Sequence, residues 1–343
     1  MKIWFPLISA GSGSDVYTTR LARSLEKYGV QTEITYFPKY FELAPWLLRG
    51  YSPPAGTDII HSNSWSAFAF KRSGIPLITT TYHPTFDAAF DPYKSIAQRF
   101  YHRYIGAKYE NLSFRYSDKI IAISRYTYNS LAHNLRHGLS EVLYCYVDTN
   151  EYRPALRREI PTDRPFRLLY VGNLSNRKGA DLLPEIMAQL GDKYELTATA
   201  GLRDVNNSLS GSNIRVVGRL SQSDLVSAYQ NADVLVFPSR LEGFGYSALE
   251  AMACGTPVVA SRSSAIPEVV IHDETGLLCE PNNVGEFVQA IRFLKNNPDK
   301  LSQYAEAARI RAENAFPEAP VIERYIAICQ ELAGTGSNRQ HLK

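Results

Sequence analysis

Two glutamates, Glu242 and Glu250, are side chains that could contact the hydroxyl groups of a sugar or a ribose. They flank a short turn that follows the apolar run VLVF, which is typical of a buried strand. The turn consists of Gly243, Phe244 and Gly245. Two unrelated surface charges are the alternative. However, glycines permit close backbone approach and open α/β sheets bind ligands at the carboxyl ends of their strands, so the context favours a ligand site.

The helix expected after this turn adds a site for an anion. Its pattern predicts a start near Ser247, between the two carboxylates. Backbone amides at a helix N-terminus, with the helix dipole behind them, bind anions such as a diphosphate. The amides concerned are those of Tyr246, Ser247 and Ala248.

A basic pair, Arg177 and Lys178, stands directly before Gly179, just after another predicted strand. Two cations at this position could neutralise the charge that grows on a departing diphosphate. A solvated basic loop is the alternative for this segment taken alone. The glutamate motif predicts an anion site of its own, and together the two motifs favour a role of Arg177 and Lys178 in binding a diphosphate.

The elements that must hold these residues follow one order twice along the chain. Residues 2–37 and residues 166–201 each read as a strand, a polar glycine turn, a helix and a second strand. Short apolar runs separated by helical stretches continue in both halves, which predicts parallel sheets covered on both faces by helices. The predicted fold class is therefore α/β with two Rossmann-like domains.

A charged stretch at 153–165 with three prolines is typical of a linker between the two domains. The sequence predicts an N-terminal domain at 1–160 and a C-terminal domain at 161–318. It further predicts a helix at 319–333 that returns to the N-terminal domain, and a disordered tail of small and polar residues at 334–343.

The composition is that of an ordinary globular protein. Of the 343 residues, 45% are hydrophobic and 21% are charged, which excludes disordered, collagen-like and coiled-coil classes. The net charge of +3 is too small to indicate nucleic acid, although residues 1–150 carry 16 basic against 11 acidic side chains. The four cysteines form no zinc motif or disulfide framework, and no apolar run is long enough for a membrane span. We expect a cytoplasmic protein that meets membranes only at their surface.

The glutamate segment, together with IPEVV at 266–270 and TGLLCEP at 275–281, resembles the retaining glycosyltransferases of family 4. The resemblance extends over nearly the whole chain. It implies the GT-B fold, in which two Rossmann-like domains with parallel sheets face each other across a cleft. In this family the first glutamate contacts the donor sugar and the second binds the ribose of the nucleotide, and these roles carry over to Glu242 and Glu250.

The resemblance also assigns the phosphate-binding lysine of the family to Lys178. The arginine that the family usually places after the glycine of the first strand is here Asn173. Three explanations follow: Arg177 substitutes for that arginine, stabilisation of the leaving group is weaker, or the chain is inactive.

Three weaker matches complete the resemblance. Gly13 lies where the family's first loop has its paired glycines, and the resemblance implies backbone contact with the donor there. His83 matches a histidine that faces the donor sugar, although a packed histidine at a strand end is the alternative. The edge that contacts the nucleobase corresponds to Gly218, Arg219 and Leu220.

The resemblance implies transfer of a sugar from a nucleoside diphosphate sugar, of the UDP or GDP type, with retention at the anomeric carbon. The chain has no Asp-x-Asp motif, so we expect neither metal nor cofactor, with the nucleotide sugar as co-substrate. The expected acceptor is a glycan or a lipid-linked molecule in the synthesis of a surface polysaccharide or glycolipid. A small soluble acceptor, or a non-catalytic partner that binds nucleotide sugar, are the alternatives.

The acceptor side is expected in the basic first half. Residues 86–119 interleave basic and aromatic side chains, which suits the surface of an anionic membrane or a lipid diphosphate acceptor. A long crossover helix with a mixed solvent face is the alternative. Tyr40 and Trp46, in the aromatic stretch at 36–51, are further candidate contacts.

Overall fold

The computed structural model describes residues 1–9, 11, 13–83, 87–131, 140–155, 164–200 and 209–340, and it describes no side chain at 88, 90 or 335–340. The chain forms two compact units. The first consists of Met1–Cys145 and Glu318–Lys343, and the second of Tyr146–Pro317.

The first unit is built on parallel strands with helices between them. Its elements are β1 (Lys2–Ile8), α1 (Gly13–Lys27), β2 (Gln31–Phe37), β3 (Ile59–Asn63), α2 (Ala67–Phe70), β4 (Leu77–Thr81), α3 (Ile96–Tyr101), α4 (Ala107–Tyr116), β5 (Lys119–Ala122), α5 (Arg125–Leu131) and β6 (Ser140–Val142). Over the described residues these strands form one sheet in the order β2-β1-β3-β4-β5-β6. The run from Ile3 to Ile8 is fully buried, as expected for a strand covered on both faces.

The second unit repeats this architecture. Its elements are β7 (Phe166–Tyr170), α6 (Leu183–Leu190), β8 (Tyr194–Ala198), β9 (Ile214–Val216), α7 (Gln222–Asn231), β10 (Val234–Phe237), α8 (Tyr246–Ala253), β11 (Val258–Ser261), α9 (Ile266–Val269), β12 (Gly276–Cys279), α10 (Val284–Asn296) and α11 (Pro298–Ala315). Within the part that the structure describes, the strands form a parallel sheet in the order β12-β11-β10-β7-β8-β9. The two Rossmann-like α/β units agree with the predicted fold class.

The last helix, α12 (Glu318–Gln340), belongs to the first unit. Tyr325 on this helix contacts Nδ1 of His61 on β3 at 2.6 Å, and the other ring nitrogen of His61 contacts Thr80 on β4 at 2.7 Å. Burial lowers the pKa of His61 to about 3, so this histidine is a neutral packing residue in the core.

Two boundaries differ from the sequence prediction. The helix continues to Gln340, so the predicted disordered tail at 334–343 is wrong for 334–340, and 341–343 lie outside the described residues. Glycines lower helix propensity by about 1 kcal/mol each without forbidding the conformation, which is why the pattern ended the helix early. The first unit ends at Cys145 rather than at 160 because Tyr146 and Tyr152 are buried in the second unit. Part of the predicted linker, 156–163, lies outside the described residues.

Candidate active site

The strand order of the second unit brings the two predicted motifs together. The chain leaves β7 toward β8 on one side, and later returns to β10 on the other side of β7, so the loops after β7 and β10 meet at the point where the strand order reverses. Open α/β sheets bind ligands at such points. The loops are joined by a backbone hydrogen bond from the amide of Arg240 to the carbonyl of Arg177, at 2.9 Å.

Lys178 and Glu242 form an ion pair across these two loops. Lys178 Nζ lies 2.5 Å from Glu242 Oε1, and the side chains are 18% and 9% exposed. The same carboxylate oxygen accepts a hydrogen bond from the hydroxyl of Ser239 at 2.6 Å. A carboxylate and an ammonium group are thus held in nearly dry surroundings, where electrostatic interactions are stronger than in water.

The protonation of the pair follows from burial and charge. Burial by itself opposes ionisation of Glu242, but Lys178, Arg177 and Ser239 outweigh it and leave the pKa of Glu242 below its ordinary value. Burial lowers the pKa of Lys178, and the charge of Arg177 lowers it further, while Glu242 acts in the opposite direction. Glu242 is therefore the partner that favours the charged form of Lys178, against burial and the charge of Arg177.

Arg177 is held beside this pair by the neighbouring loop. Its Nη1 donates a hydrogen bond to the carbonyl of Leu241 at 2.7 Å, directly before Glu242. Asn173 forms the start of the loop, and its carbonyl accepts a hydrogen bond from the hydroxyl of Tyr170 at 2.7 Å. The structure therefore brings Arg177 together with Lys178 and Glu242, and gives the backbone of Asn173 a role in shaping the turn.

Gly179 is the residue that allows the loops to approach. Its φ of +69° lies in the left-handed region, and a Cβ atom there would stand 2.1 Å from the carbonyl oxygen of Pro238. Only glycine fits both constraints. The sequence shows a glycine after Lys178, but the reason for it appears only when β7 and β10 are seen side by side.

The turn after β10 leads into α8 as the sequence predicts. Gly245 has φ +113° and α8 begins at Tyr246, one residue before the predicted start at Ser247. One predicted amide differs: the N–H of Ala248 donates to the carbonyl of Gly245 at 3.1 Å and is used within the turn. The amides of Tyr246 and Ser247 precede this bonded amide at the helix N-terminus, which is where the sequence predicts an anion site.

The glycine turn also contains a core residue. Phe244 is 2% exposed, and its ring packs edge-on against Phe316 with the centroids 5.4 Å apart. Gly243 is half-buried between Glu242 and this ring. The side chain of Phe244 thus anchors the turn to the core. The predicted contact of Phe244 with a ligand therefore concerns its backbone and not its ring.

Glu250 lies on α8 and is 5% exposed. Its Oε2 accepts a hydrogen bond from the hydroxyl of Tyr229 on α7 at 2.9 Å. Tyr229 is completely buried, and burial together with the charge of Glu250 raises the pKa of its hydroxyl well above the ordinary value. The sequence gives no signal for Tyr229, because a tyrosine in an apolar helix position resembles any core residue.

The predicted nucleobase edge follows β9. Gly218 has φ +70°, and its carbonyl accepts a hydrogen bond from the amide of Ala200 at 3.0 Å. Arg219 is exposed and Leu220 is half-buried, and both stand directly before the start of α7. This turn is therefore open on the side of Arg219.

Gly13 and His83 lie in the first unit. Gly13 is the first residue of α1, and its neighbour Ser12 lies outside the described residues. His83 is half-buried and follows β4. The rings of Tyr82 and Tyr17 stand edge-on with centroids 5.3 Å apart, so the segment that carries His83 packs against the helix that Gly13 begins.

Two features are absent from the described residues. Within 1–9, 11, 13–83 and the later described ranges, no group of three or more His, Cys, Asp or Glu side chains could hold a metal ion. In the same part of the chain, no helix has both the length and the apolar character that crossing a bilayer would require.

Comparison with known proteins identifies related sequences for both units. A family model described as Glycosyl transferases group 1 matches residues 153–311, and one described as Glycosyltransferase Family 4 matches residues 31–151. An uncharacterized glycosyltransferase of Methanocaldococcus jannaschii is 32% identical over 256 residues, covering 71% of this chain and 67% of that protein. A D-inositol 3-phosphate glycosyltransferase of Pseudarthrobacter chlorophenolicus is 32% identical over 193 residues, covering 49% of this chain and 45% of that protein. The chain thus spans about two thirds of the first relative and under half of the second.

Solved structures share the fold over nearly the whole chain. A sucrose-phosphate synthase from Thermosynechococcus elongatus superimposes with a TM-score of 0.83 at 22% identity, covering 98% of this chain and 100% of that one. The Anabaena protein HepE, in complex with UDP-glucose, superimposes with a TM-score of 0.73 at 19% identity, covering 96% of this chain and 100% of that one. At these identities the similarity establishes a shared architecture.

Proposed function

The chain belongs to the GT-B glycosyltransferases, and we propose that it transfers a sugar from a nucleoside diphosphate sugar of the UDP or GDP type, with retention at the anomeric carbon. The proposed acceptor is a glycan or a lipid-linked molecule in surface polysaccharide or glycolipid synthesis. The place of action is the cytoplasmic face of a membrane, without a bound cofactor.

The observation that carries this proposal is the ion pair of Lys178 and Glu242 next to the start of α8. A donor needs cations for its diphosphate and acceptors for its sugar and ribose hydroxyls. Lys178 and Arg177 supply the cations, and Glu242 and Glu250 supply the acceptors. All four lie in one unit on loops and a helix that adjoin one strand-order reversal.

We assign the diphosphate to Lys178, Arg177 and the amides at the start of α8. Glu250, fixed by Tyr229, receives the ribose, and the turn at 218–220 receives the base. Glu242 contacts the sugar. When a diphosphate binds, the ammonium group of Lys178 interacts with the phosphate as well as with Glu242. The carboxylate of Glu242 can then accept hydrogen bonds from sugar hydroxyls. Gly13 and His83 remain predictions from the resemblance.

In the proposed reaction the bond between the anomeric carbon and the diphosphate oxygen breaks. The acceptor oxygen forms its bond to that carbon on the same face, and its proton passes to the departing phosphate oxygen. Lys178 and Arg177 stabilise the negative charge that grows on the diphosphate, which is the role a divalent metal fills at other diphosphate sites. The chain supplies both charges from loops that are already fixed, so little reorganisation is needed.

A small soluble acceptor is the second candidate. It is favoured by the names of two similar proteins, a D-inositol 3-phosphate glycosyltransferase and a sucrose-phosphate synthase. A polar, soluble acceptor would be glycosylated at the same rate with and without lipid vesicles.

The test is to incubate the purified chain with a panel of UDP and GDP sugars and to follow the released sugar by proton NMR. We expect slow donor hydrolysis in which the new anomer has the configuration of the donor, and we expect Glu242→Gln to abolish it. Inverted product would contradict retention. An absence of hydrolysis with every donor, together with nucleotide binding, would favour a non-catalytic binding partner.

A further inference from the structure

One surface of the first unit is unusually apolar for an exposed helix. On α3 and the turn that follows it, Ile96 is 82% exposed, Phe100 is 65% exposed and Tyr104 is 59% exposed. These residues are spaced four apart, so they lie along one side of the helix. The rings of Phe100 and Tyr104 are in contact, with centroids 4.7 Å apart, which shows that they form one continuous stripe.

A second exposed apolar segment lies beside this stripe. In the segment at 39–51 the exposed apolar side chains are Tyr40 at 65%, Leu43 at 65%, Leu47 at 58%, Tyr51 at 48% and Trp46 at 45%. The hydroxyl of Tyr101 donates to the carbonyl of Glu42 at 3.2 Å, and the rings of Trp46 and Tyr109 are 5.9 Å apart. The two segments are therefore packed side by side.

The charge around the stripe is positive. Arg99, Arg103 and Lys108 are exposed on the same helical stretch, and residues 92–109 contain no Asp or Glu. Lys94 does not add to this surface, because its side chain is 2% exposed and pairs with Asp91 at 2.8 Å. The outward charge therefore comes from arginine and lysine, whose long side chains have apolar stems.

We propose that this basic aromatic face, formed by Ile96, Arg99, Phe100, Arg103, Tyr104 and Lys108, docks on the surface of an anionic lipid bilayer. Apolar side chains on one side of a helix enter the boundary between headgroups and acyl chains, while arginine and lysine extend to anionic headgroups. Each such cation adds attraction to an anionic leaflet. The proposal rests on the proposed function and deepens it: it names the surface of the first unit that meets the membrane, and it holds for either class of acceptor.

A polysaccharide fits this face less well. Sugars bind flat aromatic rings flanked by fixed polar groups, whereas Ile96, Leu43 and Leu47 are aliphatic and offer no such plane. Their exposure has a direct explanation in a bilayer, which accepts aliphatic and aromatic side chains alike. The interleaved cations have no role in binding a neutral glycan.

The test is flotation of the full chain with phosphatidylcholine vesicles, with and without about 30% phosphatidylglycerol. We expect at least ~10-fold stronger binding to the anionic vesicles, weakened by added salt because the cations are exposed. The double variant Ile96→Ser/Phe100→Ser and the double variant Arg99→Glu/Arg103→Glu should each lower this binding at least ~10-fold. The matched control is Phe293→Ser/Ile310→Ser, which removes two exposed apolar side chains of the second unit and should bind as the parent does.

Calorimetric binding of UDP and GDP to the same variants separates this proposal from the proposed function. The face variants should bind nucleotide as the parent does, because they alter the first unit only. Equal binding to neutral and anionic vesicles, or unchanged binding by both face variants, would overturn the proposal. The proposal would also be overturned if the parent chain did not bind vesicles but bound a polysaccharide, and if the face variants abolished that binding. The face would then be a glycan-binding surface.

Discussion

The two units share an architecture but hold their predicted site residues in different ways. In the second unit Glu242 and Glu250 are buried and Lys178 is half-buried, and each of the three is bonded to another of them or to a buried hydroxyl. In the first unit Gly13 begins an exposed helix turn, and large exposed side chains such as Ile96, Phe100 and Tyr104 lie along one helical stretch. The difference indicates that the second unit holds its charged site residues in fixed positions before a ligand binds. The first unit instead presents large exposed side chains on its surface.

Strand order explains part of this difference. In the second sheet β7 and β10 are neighbours. The polar loops that follow these two strands therefore lie side by side and are joined by a backbone hydrogen bond. In the first sheet the corresponding reversal lies between β1 and β3, and the sequences that follow these strands, at 9–12 and 64–66, contain no charged residue. Charged groups therefore meet in one unit, while in the other unit the meeting loops carry few charges.

The largest effect should follow from breaking the charged pair. Glu242→Gln and Lys178→Met should each reduce turnover at least ~100-fold, because each removes one preorganised group that faces developing charge. Initial rates of donor hydrolysis measure this effect. Near-parental turnover in both variants would contradict the assignment of the site to the second unit.

A double variant separates chemistry from folding. Removing one partner of a buried pair leaves an uncompensated charge and destabilises the fold, whereas removing both leaves none. We therefore expect Lys178→Met/Glu242→Gln to melt at or above the temperature of either single variant while remaining inactive. An inactive double variant that melts below both single variants would mean that the pair is mainly structural.

The next largest effect should follow from adding a side chain at Gly179, where the loops after β7 and β10 approach each other. Gly179→Ala should cost more than ~2 kcal/mol, because left-handed backbone costs about 1–2 kcal/mol with a Cβ and the new atom would strike the carbonyl of Pro238. Gly218→Ala is the matched control, with a similar φ of +70° and no atom within 4 Å of the new Cβ. Urea unfolding should rank the two variants in this order, and equal costs would show that the loops separate easily.

A smaller effect is expected at the second glutamate. Tyr229→Phe removes the hydroxyl that fixes Glu250 and should weaken nucleotide binding about tenfold, on the scale of a hydrogen bond to a charged group. Because the sugar side of the site is untouched, turnover at saturating donor should change little. A fall in the saturated rate with unchanged binding would contradict the assignment of Glu250 to the ribose.

The smallest effect concerns an ion-pair network of the first unit. Glu141 on β6 accepts hydrogen bonds from Arg324 on α12 at 2.6 and 2.8 Å and pairs with Lys119, and these cations lower its pKa to about 2. A carboxyl group with a lowered pKa stabilises the fold above its unfolded value near 4.5, and this stability is lost as pH falls toward 2. We expect Glu141→Gln to cost about 1 kcal/mol at pH 7 after discounting for solvent.

Melting curves between pH 7 and pH 2 measure this contribution. The gap in melting temperature between the parent and Glu141→Gln should be about 2–4 °C at pH 7 and should close as the pH falls from 5 to 2. A gap that stays constant over this range would mean that Glu141 acts through packing rather than charge.

The sequence predicts elements and local motifs better than it predicts the contacts between them. Hydrophobic runs and glycine turns placed Glu242 before α8 and Glu250 within it, since both follow from local pattern. The contact of Lys178 with Glu242 depends on β10 lying beside β7, which no local pattern encodes. Ser239 and Tyr229 were missed because a serine near a turn and a tyrosine in a helix have many other uses.

The same reason explains the errors at the boundaries. Local pattern underestimates the length of α12, because glycine has a low helix propensity and the structure continues the helix past Gly334. The predicted end of the first unit at 160 lies beyond the observed end at Cys145, because a proline-rich segment indicates a linker but does not indicate in which unit Tyr146 packs.

Calorimetry of the purified chain with UDP and GDP, with and without magnesium, tests the central claim most directly. If the second unit is a preorganised nucleotide site, one nucleotide should bind saturably, independently of magnesium, and Glu250→Ala should abolish the binding. Absence of binding by both nucleotides, or binding that Glu250→Ala leaves unchanged, would contradict the account.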